Sequence, residues 1–497
     1  MILKTAHAAV AALGLSLAAN GAATAQSPDT SSPADPLIAA LLGETPMIDD
    51  VQYLTDTIGG RVTGTDANLK SVDWTMKRFK DAGVAAEKDP FMMDHHWADR
   101  STIISIDGDG ISFSPRAVAK FFSAPTDAEG LTAKIVGVGK GSPEDFKRAG
   151  NSVKDAWVLI ETGETRDISG LFAEHTQAAD VEPRAVKAGV AGIVFMSSRP
   201  NGLLYRLSAQ IAEPGGVPVI IMERAEAARL QRLLAAGADL TMNAVVDVEF
   251  GPSYESYNVI GEIPGGDLKD EIVVIGAHLD SHGLGTGAND NAANVAMLID
   301  IARQMKRQNI QPRRTVRFIL WNGEEQGLVG SWRYVAEREE EMENHLMAMS
   351  IDIGSGRING FFTNGRGGEL GPILDSALNP VGGMGPYSYL DEPIVGTDNF
   401  DFIISGVANL VASHESANYG LHYHAETDTF DKVDQRQLRL NAAIIAAVTM
   451  EFANSDITLP RHTRRQIKRL VEGTSLKDQM KTFGVYEAWK AGEQGRK

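Results

Sequence analysis

IVVIGAHLDSHGLGTGANDNAANVAMLIDIARQMKRQNIQPRRTVRFILWNGEEQGLVG, residues 272–330, holds two apolar runs that each stop at a group of acids and histidine. Residues 272–277 are a short β-branched run without polar alternation, the pattern of a strand buried on both faces, and residues 315–321 (TVRFILW) repeat it. Between them, Val295, Leu298, Ile299, Ala302 and Met305 recur at helical spacing, so strand, helix and strand form a crossover unit. His278, Asp280, Asp290, Glu324 and Glu325 fall where the apolar runs end. At the carboxyl ends of strands in an open α/β sheet the chain leaves the packed core and can turn side chains toward one crevice. The stretch therefore reads as the wall of a metal site.

Residues on either side extend the same pattern. Residues 257–265 (YNVIGEIPG) read as a strand entering this sheet, and residues 346–353 (LMAMSIDI) bring Asp352 near the end of another apolar run. Residues 409–413 (NLVAS) precede a loop with Tyr423 and His424, and residues 435–453 carry Leu438, Ile444, Ile445 and Val448 on the apolar side of a closing helix. From Pro46 to Val84 the pattern is helix, Gly-bearing loop and second amphipathic helix. Residues 115–250 change character: short apolar runs such as GVAGIVFMSS and GVPVIIME alternate with helical segments, which suggests a compact insert that acts as a lid or a spacer. The histidine pair His95 and His96 reads as structural or surface, because neighbours on a strand point to opposite faces. The Lys- and Arg-rich tail, residues 456–497, reads as a solvated helix.

A 497-residue chain with 43% hydrophobic residues can build two domains. Its formal net charge of -18 argues against a nucleic-acid or anionic-membrane partner. Cysteine is absent, so a metal must be held by His, Asp or Glu. Lys4, the apolar run at residues 8–19 and the small-residue pattern Ala23, Thr24, Ala25 read as an export signal over residues 1–25, which places the mature protein in a secreted or periplasmic compartment, free of the membrane. The main domain then comprises residues 26–114 and 251–455.

The chain offers His278, Asp290, Glu325, Asp352 and His424 as metal donors, each at a strand end or in an adjacent loop. Five donors are too many for one catalytic ion and suit two Zn2+ per chain, sharing a carboxylate. Glu324 and Glu325 cannot both face one ion from an extended segment, so one ligates while its neighbour is free to move a proton. Asp280, two residues after His278, is placed to accept the second ring N–H and fix the tautomer. With the donor set full, His422 reads as a supporting or structural residue.

GAHLDS, GANDNAAN, WNGEEQGLVGS, SIDIG and YHAETDT together resemble the co-catalytic zinc exopeptidases of the aminopeptidase family, M28, and within it the carboxypeptidase Q subgroup. GTDNFDFIISGVA (residues 396–408) and DTIGGRVTGT near the N-terminus share in the likeness. The resemblance implies an α/β fold, a mixed, mostly parallel sheet flanked by helices, with residues 115–250 as a protease-associated-like cap. It implies that His278 and Asp352 complete one zinc site, Glu325 and His424 the other, and that Asp290 bridges them. By the same likeness Glu324 is the general base, Asp280 supports His278, the Asp290–Asn291 peptide is cis, and a homodimer is possible. The chain departs from the family at residues 290–294, where DNAAN replaces the common DNASG, and at HAETDT, where HTPxDT is usual. The implied activity is hydrolysis of dipeptides or short peptides by a metal-bound hydroxide. Alternatives are an aminopeptidase on longer peptides, a related amidohydrolase or cyclase, and a non-catalytic, receptor-like relative.

Overall fold

The computed structural model describes residues 32–165, 168–207, 216–417 and 419–497, and the expected export segment lies outside them. Among the described residues there are two eight-stranded sheets. In the first, Leu268–His278 runs parallel to Arg314–Trp321 on one side and to His345–Ser350 on the other, and Ala408–His414 adds a fourth parallel strand. Antiparallel strands Tyr254–Ile263 and Ala85–Met93 extend one edge, and Ile358–Phe362 with Ser388–Leu390 the other. The mixed, mostly parallel architecture read from the sequence is therefore the architecture of this sheet.

The unbroken apolar runs follow from burial on both faces. Val273, Ile275 and Ala277 pack with helices Ala293–Arg307 and Gln435–Asn454. Ile272 and Val274, pointing the opposite way, join Trp321, Tyr334 and Phe402. At Gly276 a Cβ would stand 2.2 Å from Nε1 of Trp321, so the central strand requires glycine where the indole lies across it. The long closing helix starts where the Asp434 side chain accepts from the Gln437 amide at 2.9 Å, a cap that satisfies an otherwise orphan donor.

Two expectations need correction. The insert begins at residue 96, not 115: His96–Gly108 pairs along its length with Thr241–Gly251, and Ile111–Phe113 pairs back onto it, so these strands belong to the second sheet. Parallel strands Leu131–Gly137, Trp157–Ile160, Gly192–Met196 and Val219–Met222 complete most of that sheet. The tail is not a solvated helix either. Arg464–Gly473, Leu476–Thr482 and Tyr486–Ala491 bury Ile467, Val471, Leu476, Met480 and Trp489 against Phe400, Ile403 and Ile404, while their basic residues stay outside. No helix among the described residues is long and apolar enough to cross a membrane.

Beside the site-bearing strands, His345 sits in a buried hydrogen-bond chain. Arg317 Nη1 donates to the Tyr334 hydroxyl at 2.6 Å, that hydroxyl donates to His345 Nε2 at 2.9 Å, and His345 Nδ1 donates to the Glu341 carbonyl at 2.9 Å. The chain needs a neutral ring. Burial first, with the Arg317 charge adding to it and the Glu341 carbonyl opposing, holds the imidazole down at about 4 from its ordinary 6.5. Above pH 6.5 the ring is neutral both folded and unfolded; between 6.5 and about 4 only the unfolded chain takes the proton. Stability should therefore fall with pH across that window by up to about 1.4 kcal/mol per unit from this residue. Urea midpoints measured from pH 7 to pH 4 should show a shallower decline for His345→Gln than for the parent.

Candidate metal centre

Three adjacent parallel strands end at one level: His278 pairs with Trp321 across the sheet, and the Ile351 amide donates to the Gly276 carbonyl at 2.9 Å. That register sets His278, the Glu324–Glu325 pair and Asp352 around one crevice. Asp290 enters from the turn before helix Ala293–Arg307, and His424 from the loop beyond Ala408–His414. His278, Asp290, Glu325, Asp352 and His424 are all buried, and Glu324 is partly exposed at the mouth.

The two carboxylate oxygens of Asp290 face different histidines. His278 Nε2 lies 3.0 Å from Asp290 Oδ1 and 2.8 Å from Asp352 Oδ1. His424 Nε2 lies 3.3 Å from Asp290 Oδ2 and 3.0 Å from Glu325 Oε2. The structure thus groups His278, Asp290 and Asp352, and separately His424 and Glu325, with Asp290 reaching both. Donor atoms of His278, Glu324 and Glu325 also come within 4.8 Å of one another.

These contacts suit cations. His278 Nδ1 is 3.0 Å from the Asp280 carbonyl, so the ring proton belongs there and the Nε2 lone pair faces two carboxylate oxygens. Lone pair against lone pair at such distances is repulsive unless positive charge lies between them. Asp290 Oδ2 and Glu325 Oε1 have no hydrogen-bond partner, although both are buried. The acids also draw charge onto the imidazoles: burial opposes it, yet Glu325 and Asp290 push His424 up to about 9. Burial, with Asp352 and Glu325 adding to it against the pull of His278, raises the Glu324 carboxyl well above the ordinary glutamate range. Nitrogen and oxygen donors without thiolates fit a divalent ion such as zinc.

Asp280 acts differently from expectation. It receives the His278 ring N–H on its main-chain carbonyl, while its carboxylate Oδ1 stands 3.6 Å from Nδ1. The carboxylate instead accepts from Thr63 Oγ1 at 2.8 Å and from the Glu325 amide at 3.3 Å, tying the first strand's loop to the second's. Several supporting residues were not legible as such. Asp428 accepts the amides of Asn289 and Asp290 at 2.8 and 3.1 Å and so aims the shared carboxylate. Arg61, buried, donates to the carbonyls of Leu279, Thr286 and Gly287, clamping the loop between His278 and Asp290. Asn294, where the family's DNASG has glycine, donates to Asn291 Oδ1 at 2.7 Å, and Asn291 in turn holds the Ile351 carbonyl at 2.9 Å beside Asp352. The Asp290–Asn291 peptide is cis. His422 lies off the cluster, its Nδ1 2.7 Å from Thr427 Oγ1. His95 is exposed.

The insert builds part of this centre. His424 has a left-handed backbone, φ 55°, which a non-glycine residue keeps only when its surroundings enforce it. The Arg206 amide donates to the His424 carbonyl at 2.9 Å, Arg199 reaches the Tyr423 carbonyl at 3.3 Å, and Arg116 makes a two-pronged contact with Glu426 at 2.8 and 2.9 Å. Ala425 packs into the insert's own core with Tyr205 and Leu207. The His424 ring is stacked between Tyr423 and His282, at centroid distances of 3.5 and 3.6 Å.

Residues 258–449, which span every one of these candidate metal donors, match the family model described as Peptidase family M28. The segment that bears these donors is thereby identified as an M28 peptidase domain. That match and the peptidases to which the chain is similar make it a metallo-exopeptidase. Human carboxypeptidase Q is 24% identical over 416 residues, covering 82% of this chain and 85% of that protein. Leucine aminopeptidase 2 of Arthroderma otae is 25% identical over 431 residues, 80% of each. Among solved structures, a peptidase M28 precursor from Shewanella amazonensis superposes with a TM-score of 0.79 at 26% identity, covering 86% of this chain and 98% of that one. With 86% of this chain covered, the similarity takes in at least part of the insert as well as the site-bearing sheet.

If Asp290 serves both clusters, its loss should cost more than the loss of a residue that serves one. Zinc at a hundredfold over its Kd should stabilise the folded chain by about 2.7 kcal/mol per independent site. In thermal melts with and without zinc, Asp290→Ala should lose most of the shift, and Asp352→Ala or Glu325→Ala a part of it. Equal shifts in all three variants would speak against a shared carboxylate.

Proposed function

We propose that this chain is an exported M28 exopeptidase that hydrolyses dipeptides or the terminal bonds of short peptides at a centre of two zinc ions. The observation that carries the reading is the split carboxylate of Asp290, one oxygen toward His278 and the other toward His424. His278 and Asp352 would hold one ion, Glu325 and His424 the other, and Asp290 both. Bound there, the pair supplies Lewis acidity toward the scissile carbonyl and eases deprotonation of the attacking water.

The residues supply the rest. Glu324 lies beside the donors and is partly exposed, so its carboxylate can take a proton from water and return it to the departing amine. Asp280 and Thr63 fix the loop that aims it: Thr63 Oγ1 accepts the Gly323 amide at 2.9 Å while donating to Asp280. Insert residues pack on the loop that carries His424 and hold it in place. The N-terminal basic residue, apolar run and small-residue pattern support export.

Glu324→Gln should keep its zinc and lose about 10²–10⁴-fold in kcat, the span that positioned proton transfer contributes. An unchanged rate would take Glu324 out of the mechanism. A panel of free, N-acetylated and C-amidated dipeptides, assayed on the zinc-loaded parent, identifies the anchored terminus. Inertness toward every free dipeptide and tripeptide would sink the reading.

A further inference from the structure

The tail reaches across to the insert. Phe483, which follows the helix Leu476–Thr482, stacks on His175 of the insert helix Ile168–Ala188, with ring centroids 6.3 Å apart at an interplanar angle of 26°. Both side chains are half-buried. Neither the pairing of the two sheets nor the chemistry at the donors calls for this contact, so what it joins decides what it does.

On the His175 side the contact leads to one donor loop. The adjacent Glu174 accepts from Arg199 Nη1 at 3.2 Å, and Arg199 Nη2 reaches the carbonyl of Tyr423, the neighbour of His424. On the Phe483 side it leads to the others. Leu328, three residues beyond Glu325, packs with Phe483 against the buried cluster of Ile467, Val471, Leu476 and Met480. Gln479 accepts the Val395 amide at 2.9 Å and donates to the Pro393 carbonyl at 3.0 Å. A Cβ on Gly396 would stand 3.8 Å from Phe483 Cζ, and the next residue, Thr397, has its hydroxyl 2.7 Å from that of Ser350, two residues before Asp352.

A ring of contacts thus runs from His424 through the insert and the tail to Asp352 and the Glu324–Glu325 pair. The donors stand at the carboxyl ends of the strands with the sheet beneath them, so the link between His175 and Phe483 runs on the open side of the crevice. Arg199 and Gln479 tie its two ends to main-chain carbonyls and an amide, which holds the pair in place.

We propose, on the exopeptidase reading above, that Phe483 is a specificity-determining residue: with His175 it bars the crevice, and a peptide must fit beneath the bar to bring its scissile bond to Glu324. An extended dipeptide is about 7 Å long and a pentapeptide about 17 Å. The bar admits dipeptides and tripeptides, whereas a longer chain continues past the bond being cut and meets the two rings. Selectivity of this kind comes from excluding the longer substrate rather than from gripping the shorter one.

The test is a length series of dialanine, trialanine and pentaalanine with both ends free, assayed as initial rates on the zinc-loaded full chain. The quantity read is the ratio of kcat/KM for pentaalanine to that for dialanine. In the parent this ratio should lie well below one. Phe483→Ala and His175→Ala should each raise it about tenfold or more, the scale on which the shape of a pocket discriminates, and Phe483→Trp should keep it low. Loss of a merely structural contact would lower both rates together and leave the ratio where it was. An unchanged ratio in both alanine variants overturns the assignment, as does failure of both to fold, or a parent that cleaves pentaalanine as readily as dialanine. A parent active on dialanine with unaltered variants removes the bar alone; a parent inert toward the whole series overturns the exopeptidase reading with it.

Discussion

Burying several carboxylates and the lone pairs of two imidazoles in one crevice is the constraint on which the rest depends. Asp290, Glu325 and Asp352 lie out of solvent, and the acceptor atoms of His278 and His424 face them at 2.8 to 3.3 Å. Such an assembly is unfavourable without cations, because desolvated like charges repel. The surrounding chain resists that repulsion. Asp428 holds the Asp290 backbone, Arg61 binds three carbonyls of the preceding loop, and Thr63 links Asp280 to Gly323. Each spends its hydrogen bonds on loops rather than on the metal donors, so the donors keep their lone pairs for an ion.

The second consequence concerns the insert. A lid would be expected to touch the site when closed and leave it when open. Here the insert instead fixes the loop that carries His424, through Arg206, Arg199 and Arg116, and contributes a backbone bridge between Tyr205 and Ala425. A left-handed histidine and a pair of stacked imidazoles persist because two sheets close on them. Swinging the insert away would release the loop that completes one of the two clusters. The insert and the M28 sheet are one chemical unit although they have separate cores.

Much of the M28 sheet was legible because its signals are local. A β-branched run without alternation means a strand buried on both faces, and the acids that follow it stand at a strand end wherever the sheet places them. The errors arose where the deciding contact is distant or where composition outweighs periodicity. His96–Gly108 pairs with Thr241–Gly251 across the whole insert, and nothing within residues 96–114 announces that partner. In the tail, the basic residues mask Ile467, Val471, Leu476 and Met480, whose spacing marks a buried face. Asp280 was placed correctly beside His278, but which of its oxygens takes the ring proton depends on Thr63 and the Glu325 amide, which are far from it in sequence.

By itself the sequence determined the chemical kind of the centre. With no cysteine, and with histidines and acids ending successive apolar runs, only nitrogen and oxygen donors on an α/β sheet were available. Tertiary structure alone decided how those donors divide. Which oxygen of Asp290 meets which histidine, that His282 lies against His424, and that the insert enforces the His424 turn are all matters of residues brought together from separate loops. Residue type and local pattern specify what a side chain can bind; its partners are set by the register of strands and the docking of two cores, which no single stretch of chain contains.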